Sequence, residues 1–428
     1  MINNEKVTCI SPWYELRINS DGSMSFCHAV KKTFWEKSNL NFIDWFNKGE
    51  SSTAARQNIL KGKPVDACQN CYDNEAKGFT SYRQRRNIQG AVYHGENFKD
   101  SLEQSPAYPR MQGKVEEMYP AFLHVTLSNL CNLSCRMCFP EFSSQLTDTY
   151  KKLNIIDKSV PILEDWSQSD EKWQNFLKLV KGNKQLLSLH FMGGEPLYHK
   201  RFHEFIDWAI ENNETNYHLT FVTNVTIYDS ELIDKLAKFK SVQIEMSIEV
   251  MDIVNDYIRI GSDFNVLKDN IQKFLSHKNS NTKMVLRTVP QALSIPKYDT
   301  IIDFAIENDC MIDCNVISNP PHLKMNVLPK EFKNDLVNKL KTKYADILGI
   351  EDMDKITKIS QIREPQKALF RSHINYLIAA LEEAEPENIE ELRQKFIQYN
   401  IDMDTQSTLK FKSVYPELVD FYEKYSNI

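Results

Sequence analysis

Between residues 120 and 320 the chain alternates, six times over, between short β-rich runs and amphipathic stretches, and this alternation narrows the possible folds more than any other feature. The β-rich runs are FLHVTLS from Phe122, LLSLHFM from Leu186, HLTFVT from His218, VQIEMSI from Val242, KMVLRTV from Lys283 and MIDCNVI from Met311. The intervening FHEFIDWAIE, SELIDKLAKF, DFNVLKDNIQKFL and YDTIIDFAIE carry apolar residues at i, i+3 and i+4, the helical period. Strand and helix in turn predict an α/β fold, a parallel sheet wrapped by helices, as either a doubly wound sheet or a partial barrel. Polarity separates the two. A parallel strand buried on both faces is nearly all apolar, yet His124, Thr126 and Ser128 share one face of the first strand, Gln243, Glu245 and Ser247 one face of the fourth, and Asp313 and Asn315 one face of the sixth. A polar face on successive strands predicts the inside of a barrel holding a polar ligand, so a partial (β/α)6 TIM-like barrel is expected.

The flanks differ in kind. Residues 1–90 contain YELRINSDGSMSF, two alternating strands around an SDG turn, and read as a cysteine-rich β-hairpin domain. Residues 91–119 read as a linker. From 321 to 428 the pattern is helical, with Ile374, Leu377, Ile378 and Leu381 on one stripe that suits packing better than a membrane or cofactor face. The polar start MINNEKVTC has no apolar h-region, and no apolar run approaches the roughly 18 residues of a membrane span, so a cytoplasmic protein away from membranes is expected. The net charge is −6, and the one basic cluster, SYRQRRN with Arg83, Arg85 and Arg86, suits a solvated helix face as well as a phosphate patch. Nothing demands nucleic acid.

Chemistry concentrates in CNLSCRMC, directly after the first barrel strand, at the end where loops carry active sites in parallel β/α folds. Nine cysteines in a reducing compartment favour metal binding over disulfides. Cys131, Cys135 and Cys138 supply three thiolates, whereas structural zinc or a closed cubane takes four protein ligands. Three on one loop can hold three irons of a four-iron cluster and leave the fourth iron for a substrate or cofactor.

The spacing of CNLSCRMC resembles that of the radical S-adenosylmethionine (SAM) superfamily, and further motifs follow in order. FMGGEP supplies Gly193, Gly194, Glu195 and Pro196 after the second strand, TNVT supplies Asn224, EMSIE supplies Ser247 and Glu249, and NDYIRIG supplies Arg259. The resemblance implies that Cys131, Cys135 and Cys138 hold a [4Fe–4S] cluster. It implies too that Met137, Gly193, Gly194, Glu195, Pro196, Asn224, Ser247, Glu249 and Arg259 lie around SAM, with Gly193–Pro196 receiving its amino group and Arg259 clamping its carboxylate. Reductive cleavage of SAM to a 5′-deoxyadenosyl radical and hydrogen abstraction from substrate are the expected activity. Two departures stand out: Val225 sits where glycine is frequent, and Glu249 where aspartate is common.

Four more cysteines form a second set. Cys9 and Cys27 bracket the hairpin, and CQNC brings Cys68 and Cys71. By themselves they suit structural zinc and a fully ligated iron–sulfur cluster equally. The hairpin with its PW and DG, followed by CxxC, is similar to the SPASM and twitch modules, which implies an auxiliary [4Fe–4S] cluster, here placed ahead of the barrel. Cys310 and Cys314 read as packing residues.

Alternation places His124, His190, Glu245, Arg287, Asp313 and Asn315 in the lumen, with Glu245 and Arg287 either part of a site or paired with each other. A polar substrate is expected, a peptide by resemblance, a sugar, nucleotide or other small metabolite otherwise, with an electron donor such as flavodoxin or ferredoxin. A non-catalytic iron–sulfur protein and a zinc-stabilised binding protein are the competing classes.

Overall fold

The computed structural model describes residues 7–76, 80–93, 110, 117–277, 280–349 and 364–426. Most of the expected linker lies outside them. Among the described residues ten strands are formed: β1 (Glu15–Ile18), β2 (Met24–Ser25), β3 (Phe122–Val125), β4 (Ser134–Cys135), β5 (Ser188–Phe191), β6 (His218–Thr223), β7 (Ser241–Ser247), β8 (Arg259–Ile260), β9 (Thr282–Thr288) and β10 (Met311–Cys314). All six expected barrel strands are there as β3, β5, β6, β7, β9 and β10. The helices between them run Lys200–Glu211, Ser230–Leu236, Phe264–Ser276 and Asp299–Glu307. The fold is α/β, the partial TIM-like barrel anticipated from the alternation. Contacts divide the chain into two compact units, residues 1–130, 163–221 and 231–242, and residues 131–162, 222–230 and 243–428.

In the first unit β3 lies parallel to β5, and β5 to β6. β1 adds parallel to β3, with Glu15 opposite Phe122 and Arg17 opposite His124. β1 and β2 form the expected hairpin, Arg17 pairing with Ser25. Its turn uses Gly22 at φ +78°, a conformation glycine adopts without a Cβ penalty. Tyr14 departs from the expected strand: Ser11–Tyr14 is a short helix opened by Pro12, and extension begins only at Glu15. The unit is packed by rings, with Phe191 5.1 Å from Phe205 and 5.2 Å from Phe202, and Phe202 5.2 Å from Phe221 between ring centres. Such edge and tilted contacts add to the burial itself.

In the second unit β9 and β10 are parallel, Arg287 opposite Asp313, and β4 pairs antiparallel with β8. Helices Lys330–Lys343, Glu364–Leu381 and Ile389–Asp404 form the C-terminal region. The stripe Ile374, Leu377, Ile378 and Leu381 is buried, as packing requires. Among the described residues no helix is long and apolar enough to cross a membrane.

Candidate functional sites: two cysteine sets

The loop after β3 carries the three-thiol set. Cys135 is buried, whereas Cys131 and Cys138 are partly exposed. Burial pushes the Cys138 thiol up, and the neighbouring Cys135 and Cys131 push it further, so the sulfurs share one electrostatic neighbourhood. β4 fixes Cys135 against Arg259 of β8. Asn224 donates from Nδ2 to Asn132 Oδ1 at 2.7 Å and faces Cys131 Sγ at 3.8 Å, while its Oδ1 accepts from Thr226 Oγ1 at 2.7 Å. Next to it Val225 has φ +64°. A β-branched residue is strained there, which explains physically why glycine would suit the position.

Arg259 and Glu249, both buried, face each other. Arg259 Nη2 donates to Glu249 Oε1 at 2.5 Å, and Nη1 faces Cys135 Sγ at 3.8 Å. Glu249 Oε2 accepts from the Val289 amide at 2.8 Å. Burial pulls Arg259 toward its neutral form, but the Glu249 carboxylate more than offsets this and keeps it charged. Ser247 and Met137 are buried in the same unit.

In the first unit Gly193 and Gly194 have φ +74° and +60°. The resemblance assigned this pair to the SAM amino group. At Gly194 the neighbour is the chain itself: a Cβ would meet Leu130 O at 2.6 Å and Ser128 O at 2.9 Å. Glu195 N donates to Leu130 O at 2.8 Å, and its carboxylate accepts from Leu197 N at 3.1 Å. GGEP thus seats the backbone that leads into Cys131. A small cavity remains, lined by Ser128, Leu130, Met192, Gly193, Glu195 and His199. His199 Nε2 donates to Asp165 Oδ2 at 2.9 Å beside it.

The four-thiol set also lies in the first unit. Cys9, Cys27, Cys68 and Cys71, from three separate segments, line one cavity with Tyr82 and Arg83. All four thiols are unpaired by disulfides. Burial pushes each upward, Cys9 to about 11, and Cys27 feels both Cys9 and Cys68. Arg83 bears on Cys68 and Cys71, and Arg17 and Arg86 on Cys27, cations suited to opposing thiolates.

Spacing tests the metal. Among the described residues one group of three His, Cys, Asp or Glu ligand atoms lies within 4.8 Å of one another, and it is Glu15, His28 and His124. No three thiols of either set are that close. A single tetrahedral zinc would hold its sulfurs about 3.8 Å apart, closer than any three thiols of either set lie here. The Glu15 group itself has its cation already: Arg86 Nε lies 3.3 Å from Glu15 Oε2, and Tyr82 donates to the same oxygen at 3.0 Å. Burial would raise the Glu15 carboxyl, but Arg86 holds it well below the usual range, while burial keeps His124 neutral. Arg83 in turn pairs with Glu75. The basic cluster is therefore neither a solvated face nor a phosphate patch at Arg83 and Arg86, both of which are buried against carboxylates.

The lumen candidates fall into two groups. His124 and His190 are opposite in register, rings 5.5 Å apart, in the first unit. In the second, Arg287 Nη1 donates to Glu245 Oε2 at 2.5 Å and to Asp313 Oδ2 at 2.8 Å. Burial raises the Glu245 carboxyl, Arg287 pulling against it. Asn315 is exposed beyond β10. Sequence reasoning missed Arg136, Asn132 and Thr226 around the three thiols, and Glu15, His28, Tyr82 and Arg86 around His124. The alternation of Glu15 and Arg17 in YELRI was a usable signal; the others come from distant segments and had none.

Residues 125–290 match the Radical SAM superfamily. The radical SAM cyclopropyl synthase TigE of Paramaledivibacter caminithermalis is 23% identical over 223 residues, covering 50% of this chain and 44% of TigE. The chain thus spans under half the length of that relative. Among solved structures, Streptococcus suis SuiB bound to S-adenosylmethionine is 16% identical, with 79% of this chain and 71% of SuiB covered and a TM-score of 0.37. Native anSMEcpe with bound AdoMet is 16% identical, with 72% and 96% covered and a TM-score of 0.38. The matched residues contain the three thiols, GGEP, Asn224, Ser247 and Arg259, and this segment of the chain is a radical SAM domain.

Proposed function

We propose that this chain is a twitch/SPASM-type radical SAM enzyme acting on a polar substrate, with an auxiliary [4Fe–4S] cluster in addition to the SAM-binding one. The observation that carries the auxiliary cluster is the convergence of Cys9, Cys27, Cys68 and Cys71 on one buried cavity, a closed ligand set with no position left for substrate. Cys131, Cys135 and Cys138 would hold the first cluster and leave one iron open. When bound, SAM and that cluster supply a 5′-deoxyadenosyl radical able to abstract hydrogen.

The chain's own residues do the orienting. Gly193, Gly194, Glu195 and Pro196 offer the backbone beside the SAM amino group, and Asn224, Ser247 and Met137 the groups around its ribose and methionine parts. Arg259 serves Glu249 with Nη2 and faces Cys135 Sγ with Nη1, so it would meet a SAM carboxylate beside the cluster thiol, and Glu249 holds the fork in place. Glu245, Arg287 and Asp313 form a charged, partly exposed ladder on three strands, a surface suited to a polar substrate and poor for an apolar one. Arg287 would anchor a substrate carboxylate or carbonyl, with His190 and Asn315 as further contacts. A peptide is the substrate to try first, and a sugar, nucleotide or other small metabolite second. A cytoplasmic flavodoxin or ferredoxin is the proposed electron donor.

Iron and acid-labile sulfide per chain after anaerobic reconstitution test the reading, for the parent and for a Cys131→Ala, Cys135→Ala, Cys138→Ala variant. About eight irons falling to about four supports two clusters, and SAM cleavage to 5′-deoxyadenosine should vanish in the variant. About four irons falling to none would remove the auxiliary cluster from the proposal. No iron in the parent would leave a zinc or non-catalytic protein.

A further inference from the structure

Arg136 stands inside CNLSCRMC, between Cys135 and Met137, yet it is wholly buried. A guanidinium out of water must have nearly every donor satisfied, and here the partners come from two distant segments. Nε donates to Tyr257 O at 2.8 Å. Nη1 donates to Asn400 Oδ1 at 3.1 Å, and Nη2 to Asp404 Oδ1 at 2.7 Å. The guanidinium also lies 3.8 Å over the Tyr257 ring. The main chain of the same residue is held too: its amide donates to Ile258 O at 2.9 Å, and its carbonyl accepts from Tyr399 Oη at 2.6 Å. Tyr399, Asn400 and Asp404 lie on the last turns of helix Ile389–Asp404. Asp404 is fixed in turn by the Phe411 amide at 2.8 Å, and Tyr399 by Tyr150 at 2.9 Å.

We infer that helix Ile389–Asp404 is the anchor of the cluster loop and that Arg136 is a positioning residue, setting Cys135 and Cys138 for the SAM-binding cluster through Tyr399, Asn400 and Asp404. The inference rests on the reading that these thiols bind that cluster. Side chain and main chain of one residue are gripped from both sides, so the peptide units flanking Arg136 cannot rotate without breaking a hydrogen bond. The three-residue and two-residue spacers then present their thiols in a fixed set without a fourth protein ligand. The C-terminal region would thereby act on the chemistry of the loop while touching neither SAM nor substrate.

The test uses the full chain, reconstituted anaerobically, as Arg136→Lys, Asp404→Asn and Tyr399→Phe. Arg136→Lys keeps the charge and loses the fork. Iron release to a chelator, the SAM-responsive part of the EPR signal of the reduced protein, and the thermal midpoint are measured. SAM responsiveness separates this cluster from the four-thiol set. Roughly tenfold faster iron release is expected, the usual scale for losing a group that orients a metal ligand, together with an altered SAM-responsive signal. Arg393→Lys serves as the control: it anchors the same helix to Val327 O and Glu385, and should lower the midpoint with iron release as in the parent. If the loop variants lower the midpoint alike but keep parental iron release and signal, the contact is only structural and the inference is overturned while the cluster reading stands. A parent without a SAM-responsive signal overturns both.

Discussion

The two cysteine sets solve opposite problems with the same side chain. Cys9, Cys27, Cys68 and Cys71 come from three segments of the first unit and close on one cavity beside Tyr82 and Arg83. Cys131, Cys135 and Cys138 come from one loop of eight residues in the second unit, two of them partly exposed. The closed set ties distant parts of the chain together, so it should contribute to stability. The open set ties nothing together, and must take its shape from hydrogen bonds around it, at Arg136, Asn224 and Arg259. On the proposed reading the complete set would be a structural device, and the incomplete one a reactive device that the rest of the unit must hold.

The largest effect should come from exchanging the losses. Cys138→Ala should abolish 5′-deoxyadenosine formation while moving the thermal midpoint of the reconstituted protein by less than about 2 °C, and Cys27→Ala should lower that midpoint by about 5 °C or more. Equal shifts in melting for the two variants would erase the distinction.

Next comes the charged wall beside the closed set. Arg86→Met leaves Glu15 buried without its guanidinium, and chemical denaturation should show a loss of about 3–5 kcal/mol. Little change there would mean that Tyr82 and the His28 amide, which donates to Glu15 at 2.5 Å, suffice to hold the carboxylate.

Gly194→Ala forces a Cβ to within 2.6 Å of the Leu130 carbonyl at φ +60°, at a cost of about 2–3 kcal/mol. Because Leu130 precedes Cys131, SAM cleavage should fall with it, whereas the equivalent loss at Arg86 should leave the affinity for SAM as in the parent. Isothermal titration with SAM distinguishes the two.

The smallest effect lies in acid. Burial raises the Asp165 carboxyl, but His199, Ser167 and Gln168 bring it down to about 2. A carboxylate lowered in the folded state contributes stability that is complete above its unfolded value, near ~4, and is lost as pH falls toward 2. Asp165→Asn should therefore destabilise the parent at neutral pH and flatten its stability profile between about pH 4 and 2. An unchanged acid arm would show that other carboxylates govern it.

The alternation of β-rich and helical runs carried the fold, because each strand and helix owes its formation to local periodicity. β6 has the expected bounds, His218–Thr223, while β3 and β10 stop three residues early, at Val125 and Cys314, where the chain turns toward its loops. The thiols of both sets were legible from spacing. The pairing of Glu245 with Arg287 was foreseen as an alternative, and its third member Asp313 arises from the β9–β10 register. The close approach of Gly194 to the Leu130 and Ser128 carbonyls was not legible, since it depends on where folding brings another stretch of backbone. Arg136 looked like a spacer inside a motif because its partners lie 264 and 268 residues further on.

The sequence by itself thus determined the class of fold and the spacing of the two thiol sets, since strand period, helix period and cysteine spacing are properties of short stretches. Tertiary structure alone decided which charges meet. Glu15 with Arg86, and Arg136 with Asp404, are each joined by the packing of segments far apart in the chain. A buried charge takes the partner that folding brings within about 3 Å, and no local pattern encodes that distance.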